Sequence, residues 1–217
     1  MQRIIIICEG ETEQEFCKKI LYPHFLPLNI LIEYPSIKKS GGGIVPWDAL
    51  KKQIHTHLTQ DPNALVTTFI DYYGLHKKHD FPEWDASRKI IDINERMTFL
   101  EQAMKENIDN SVRFRFLPYI QLHEFEGLLF NNIEDFKNTF TAAEFTNLNE
   151  LTKTILDHPN PELINDGKQT APSKRLERLI VGYNKIVYGS LLAEKIGLKN
   201  IRNKSPRFNE WLLKMGG

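Results

Sequence analysis

The sequence predicts an α/β protein, with a mostly parallel sheet flanked by helices and a helical C-terminal subdomain. Three observations predict it. Residues 2–8 (QRIIIIC) form an aliphatic run too short for a helix and too apolar for a half-exposed strand, as expected of a strand covered on both faces. Strand-like and helix-like segments then alternate to about residue 130, the pattern of parallel strands joined by crossover helices. Beyond that point only helical spacing recurs. The predicted division is an α/β domain over 1–130 and a helical subdomain over 131–217.

The first strand stops at Glu9-Gly10, and Thr12 with Glu15 three residues later reads as a capping box opening a helix that carries Phe16, Ile20 and Leu21. Ile30 to Ile37 is a second strand. Gly41-Gly42-Gly43, flanked by Lys38 and Lys39, is a loop, and Pro46 opens a helix that runs to Gln60. Ala64 to Tyr73, rich in β-branched and aromatic residues, is a third strand stopped by Gly74. Leu75 to Arg88 is polar and reads as a flexible loop, followed by helical spacing from Ile90 to Ile108. Arg113 to Leu122 is a fourth strand whose Pro118 places it at an edge or a bulge. Helices are expected over 133–140, 147–156, 173–187 and 206–215, with loops at 158–161 and 166–172.

Composition narrows the class. The 217 residues are 41% hydrophobic and 26% charged, with a mean hydropathy of −0.39, values that exclude wholesale disorder and fibrous repeats. No apolar run approaches the roughly 20 residues of a membrane-spanning helix. The N-terminus lacks the pattern of a secretory signal, so the expected location is the cytoplasm, with no membrane partner. Cys8 and Cys17 are expected to be reduced packing residues. The net charge of zero is unevenly spread. Residues 172–217 hold ten Lys or Arg against three Glu, a net +7, which leaves −7 on residues 1–171. Such a basic region points to an anionic partner, or to solvated helix faces that happen to be basic.

Acidic residues recur where the strands end: Glu9 after the first, Asp71 closing the third, Glu124 and Glu126 after the fourth. In an open parallel sheet the carboxyl ends of the strands face one crevice. Two carboxylates at about 4 Å repel by about 4 kcal/mol at an effective dielectric of 20, so a cluster of them needs protons or a cation. The expected ion is Mg²⁺, with Mn²⁺ as a substitute, because a hard ion accepts a few carboxylates, waters and substrate oxygens without a His or Cys cage. Such a site suits phosphodiester hydrolysis. Taken singly, each acid also reads as a helix-start or turn residue.

These same motifs carry a resemblance. IIIICEGETE, with its strand-terminal Glu9, and TTFIDYYG, with its strand-terminal Asp71, resemble a Toprim domain, the catalytic module of topoisomerases, bacterial primases and OLD-family nucleases, over residues 1–130. EGETE, DYYG, HEFEGLLF and APSKRL in that order resemble a family of small prokaryotic Toprim-like proteins, catalogued as a domain of unknown function, found beside ATPases in phage-defence loci. The resemblance implies a Mg²⁺-dependent nuclease acting on DNA or RNA. Its implied partners are nucleic acid, an ATPase and a second copy of the chain. Glu9 would be the general acid/base or a bridging carboxylate, and Asp71 a metal ligand. A standard Toprim has Asp-x-Asp on its third strand, whereas Tyr73 stands here in the second place, so Glu124 or Glu126 would supply the missing ligand.

Lys174 and Arg175 in PSKR, with Arg178 one turn along, are the expected contacts to substrate phosphate, Lys174 also as a catalytic cation. A solvated helix start is the alternative reading. No Walker loop or acyl-transfer motif is present, and no histidine is assigned to metal, although His123 adjoins the acidic pair. Tyr72, Tyr73 and Trp84 are candidates for base stacking, with packing as the alternative. Two non-catalytic readings stand beside the nuclease: a partner subunit that docks an ATPase, and a nucleic-acid-binding module without chemistry.

Overall fold

A computed structural model describes residues 1–38, 43–164, 167 and 169–217. Lys39, Gly41 and Gly42 of the expected glycine loop, and Asp166 and Lys168 of the 166–172 loop, lie outside the described residues. The chain divides into two compact units, Met1–Gln14 with Phe25–Leu122, and Glu15–His24 with His123–Gly217.

In chain order the first half carries β1 (Gln2–Cys8), α1 (Glu11–Phe16), α2 (Tyr22–Phe25), β2 (Ile30–Glu33), α3 (Trp47–Gln60), β3 (Leu65–Asp71), α4 (Trp84–Ser87), α5 (Ile93–Glu106), β4 (Phe116–Leu117) and β5 (Ile120–Gln121). The strands form a parallel sheet in the order β2-β1-β3-β4, with β5 also paired to β3. The fold class is therefore α/β, as expected from the alternation of segments.

The aliphatic run becomes a central strand for a physical reason. Ile5 and Ile7 join Val66, Ile70, Phe116 and Ile120 in one core with Leu50, Ile54 and Leu58 of α3 and Met97, Leu100 and Met104 of α5. Ile4 and Ile6, on the opposite face, are equally buried, so a strand with polar alternation would not fit here.

Local chemistry sets the boundaries. Helix α1 starts at Glu11, not after Thr12, because Glu13 reaches back to accept the Gly10 N–H at 2.9 Å, the return half of a capping box. Asp92 caps α5 by accepting from Glu95 N. The second strand is shorter than expected, but its pairing resumes after Pro35, where Ile37 N donates to Cys8 O at 2.9 Å. The expected loop 75–88 carries a 3₁₀ turn at Lys77–His79 and helix α4. The fourth strand is split in two around Pro118. Thr68 fills the break: its hydroxyl donates to Tyr119 O at 2.9 Å and accepts from Tyr119 N at 3.0 Å.

The second unit is helical, with α6 (Ile133–Lys137), α7 (Leu148–Asp157), α8 (Pro172–Leu179), α9 (Lys185–Ile196), α10 (Leu198–Lys204) and α11 (Pro206–Lys214). The single helix expected over 173–187 is two. Ile180 leaves the helical conformation, Gly182 takes φ +74°, and Asn184 caps α9 by accepting from Ile186 N and Val187 N. The early segment Glu15–His24 belongs to this unit: Phe16 lies edge-on to Phe125 at 5.1 Å and to Phe208 at 5.8 Å. Cys8 and Cys17 are both buried thiols, not joined in a disulfide. Among the described residues no helix is long and apolar enough to cross a membrane.

Candidate functional site

The strand order places the point of interest. From β1 the chain moves outward to β2, and from β3 it moves outward the other way to β4, so β1 and β3 flank the position where the order reverses. In doubly wound sheets the crevice at the carboxyl ends of two such strands is where ligands bind. Glu9 follows β1 directly and Asp71 is the last residue of β3.

The sheet register brings these two together. Cys8 pairs with Phe69, and Glu9 N donates to Phe69 O at 3.0 Å. Asp71 N then donates to Glu9 Oε2 at 2.9 Å, so the Glu9 side chain bends across to the neighbouring strand end. The turn after β3 is fitted to that carboxylate. A Cβ on Gly74 would stand 3.0 Å from Glu9 Oε1 and 3.6 Å from Oε2, closer than a side chain comfortably approaches. Glycine leaves this space open to the carboxylate, and its φ is not in the left-handed region. The next acid, Glu13, is committed to the Gly10 amide.

Glu124 and Glu126 lie in the second unit and are both buried. Glu124 sits at the start of α8: Ser173 N donates to Oε2 and Ser173 Oγ to Oε1, each at 2.9 Å. A carboxylate at a helix N-terminus, bonded at both oxygens, is a capping arrangement. The preceding His123 takes φ 62°, a left-handed backbone that a non-glycine residue adopts at some cost. Tyr183 extends this acidic neighbourhood. Burial first, and then Glu126, Glu177 and Glu124, push its phenol well above the usual value, so it stays protonated.

The three expected phosphate contacts have partners. Lys174 pairs with Glu177 at 2.6 Å, which together with the field of Glu124 raises its pKa. Arg175 Nε donates to Thr170 O at 2.8 Å. Arg178 clasps Glu150 through both terminal nitrogens, one contact at 2.8 Å, and holds that carboxyl below its ordinary range. Lys174 and Arg178 are each about half exposed, so these are surface pairs of low strength that a polyanion can displace.

The candidate stacking residues differ in setting. Tyr72 is buried, packs against Trp84 at 6.1 Å, and its hydroxyl accepts from Arg88 at 2.9 Å and Arg96 at 3.2 Å. Tyr73 is half-buried. Among the histidines, His79 Nδ1 accepts from His76 N at 3.1 Å and the two rings stack, which closes their turn.

Among the described residues no three His, Cys, Asp or Glu side chains gather into a group suited to hold a metal ion. Glu9 and Asp71 nonetheless fit one kind of ion. Their donors are all oxygen, which suits Mg²⁺, and an ion that keeps most of its waters needs only one or two carboxylates before substrate arrives. Sequence reasoning reached Glu9 and Asp71 but missed Gly74 as a contact and Ser173 as the partner of Glu124. The glycine that stops the strand, and the Pro-Ser pair that opens α8, were the available signals.

Fold and site together define an α/β parallel-sheet protein with Glu9 and Asp71 at the ends of the two strands that flank its topological switch point. A family model described as a domain of unknown function (DUF4276) matches residues 8–216, and the chain belongs to that family. No curated protein and no solved structure matches it.

Proposed function

We propose that this protein is a Mg²⁺-dependent nuclease of Toprim type that hydrolyses phosphodiester bonds in DNA or RNA, as the effector of a prokaryotic defence system. The observation that supports this most is the Asp71 amide bonded to the Glu9 carboxylate at 2.9 Å, at the strand ends where the sheet order reverses. Glu9 and Asp71 would hold the ion. Mg²⁺, when bound, polarises a phosphoryl oxygen and makes an attached water more acidic.

The chain's own residues do the rest. The amide of Asp71 fixes one Glu9 oxygen, so the carboxylate is oriented before substrate arrives and little reorganisation is needed. In the hydrolysis, water oxygen bonds to phosphorus, its proton passes to the Glu9 carboxylate, and the leaving oxygen departs with a proton from solvent. Gly74 keeps the turn clear of Glu9. Purified protein is expected to cleave single- or double-stranded DNA or RNA with Mg²⁺ or Mn²⁺. Glu9→Gln and Asp71→Asn should each lower the rate by at least about 100-fold while leaving the circular dichroism spectrum unchanged. Full activity in both variants removes the assignment.

A second reading is favoured by one feature. Helix α9 exposes Ile186, Val187 and Leu191, with Val181 just before it also exposed, an apolar surface suited to a protein partner such as an ATPase. A non-catalytic subunit of this kind would form a stable complex with that ATPase and cleave nothing under any metal condition.

A further inference from the structure

Helices α10 and α11 of the second unit border a groove of about 600 Å³. Lys199, Arg202 and Asn203 line it from α10, Asn209 from α11, and His24 from α2. The first three stand at i, i+3 and i+4 and so share one helix face, while Ile201 between them is buried. Among the described residues the lining holds two permanent cations and no acidic side chain.

The Arg202 guanidinium is already fixed in place. Its Nε donates to Asn209 Oδ1 at 2.6 Å, its NH2 to Gly217 O at 3.3 Å, and its NH1 lies 3.5 Å from His24 Nε2. Its side-chain neighbours here are an amide and an imidazole, and its remaining contact is an oxygen of Gly217. His24 registers the result: burial, and then Arg202, hold it below the ordinary imidazole value. From Lys185 to Gly217 the sequence holds seven Lys or Arg against Glu194 and Glu210, and Glu210 pairs with Lys214 at 2.8 Å.

We infer that this groove seats backbone phosphates of a nucleic-acid strand, with Arg202 and Lys199 as the phosphate contacts and Asn203 and Asn209 as neutral hydrogen-bonding groups. A planar, pre-positioned guanidinium matches phosphate oxygens, and a lysine beside it adds charge without demanding geometry. The groove is distinct from Glu9 and Asp71, which lie in the other unit. The identity of its ligand rests on the nuclease reading; the site itself does not.

The test uses the full chain in EDTA, so that no cleavage occurs, and measures fluorescence anisotropy of labelled 20-nucleotide single-stranded DNA and RNA. Lys199→Glu, at an exposed position that folding tolerates, should weaken binding at least tenfold at 100 mM salt. Lys199→Ala should lower the salt slope by about one ion. Glu194→Gln, an exposed change outside the groove, should not weaken binding. Binding by Lys199→Glu equal to wild type overturns the proposal, as does capture of AMP or inorganic phosphate with no binding of either strand. Loss of binding in Lys199→Glu from a wild type that cuts nothing with Mg²⁺ or Mn²⁺ supports the groove and sinks the nuclease. Unchanged binding alongside robust cleavage does the reverse.

Discussion

At the scale of single residues, Glu162 shows how tertiary position overrides intrinsic chemistry. It is almost fully buried, and its two oxygens accept the Arg207 and Phe208 amides at 3.0 Å each, at the start of α11. Those amides favour the charged form, but burial outweighs them and raises its pKa to about 7. The sign follows from proton binding. The folded state holds this proton more tightly than the unfolded chain, so the stability it contributes is full below about pH 4.5 and is lost as pH rises through 7. The shift of 4.5 to about 7 corresponds to about 3 kcal/mol as an upper bound. Urea midpoints measured from pH 4.5 to 8 should fall more steeply for wild type than for Glu162→Gln; equal slopes would refute this. Nothing in the local sequence NPEL announces such a residue, because its partners are 45 and 46 positions away. Separations of 49 and 28 positions likewise hide the Ser173 contact to Glu124 and the Arg178 clasp on Glu150. Glu9 and Asp71, by contrast, were legible because a strand end is a local signal.

At the scale of elements, the sequence pattern located the first three strands and helices such as α3, α5, α7 and α11, and missed most of α9, all of α10 and what interrupts the elements. Pro118 argued for a bulge or edge; how the break is satisfied depended on Thr68, on a different strand. Thr68→Val keeps shape and burial but leaves the Tyr119 N–H and C=O without their partner in a buried setting. The expected loss is about 2–4 kcal/mol in chemical denaturation, for two buried polar groups left unsatisfied. A loss under 0.5 kcal/mol would mean that water or a shifted strand takes over. The break between α8 and α9 was hidden for another reason. Leu176, Leu179, Ile180, Ile186 and Val187 keep an apolar spacing that reads as one helix, and only the left-handed Gly182 and the Asn184 cap mark the turn. The α1 start lies two residues earlier than expected, where Glu13 accepts the Gly10 N–H and Gln14 N donates to Gly10 O.

At the scale of the whole molecule, the linear division into an N-terminal sheet domain and a C-terminal helical one does not describe how the chain is packed. Glu15–His24 leaves the sheet unit and packs with residues after 122. Phe16, Cys17 and Leu21 are fully buried, and Phe16 meets Phe125 and Phe208. A fragment ending at Leu122 would expose those side chains, at about 1.5–3 kcal/mol for each large one. Residues 1–122 expressed alone should therefore lack a cooperative thermal transition and bind a hydrophobic dye. A monomeric fragment with a sharp transition would show that the early helical segment does not need the C-terminal residues.

The sequence by itself determined the parallel sheet, since an unbroken aliphatic strand and alternating helical spacing have few other solutions, and it determined that acids stand at the ends of β1 and β3. Only the tertiary structure decided the order in which the strands lie, which makes β1 and β3 neighbours at the point of reversal. It also decided which charges are already neutralised by distant partners. Strand identity is encoded in a few consecutive side chains, whereas strand order and ion pairing depend on which distant surfaces bury one another.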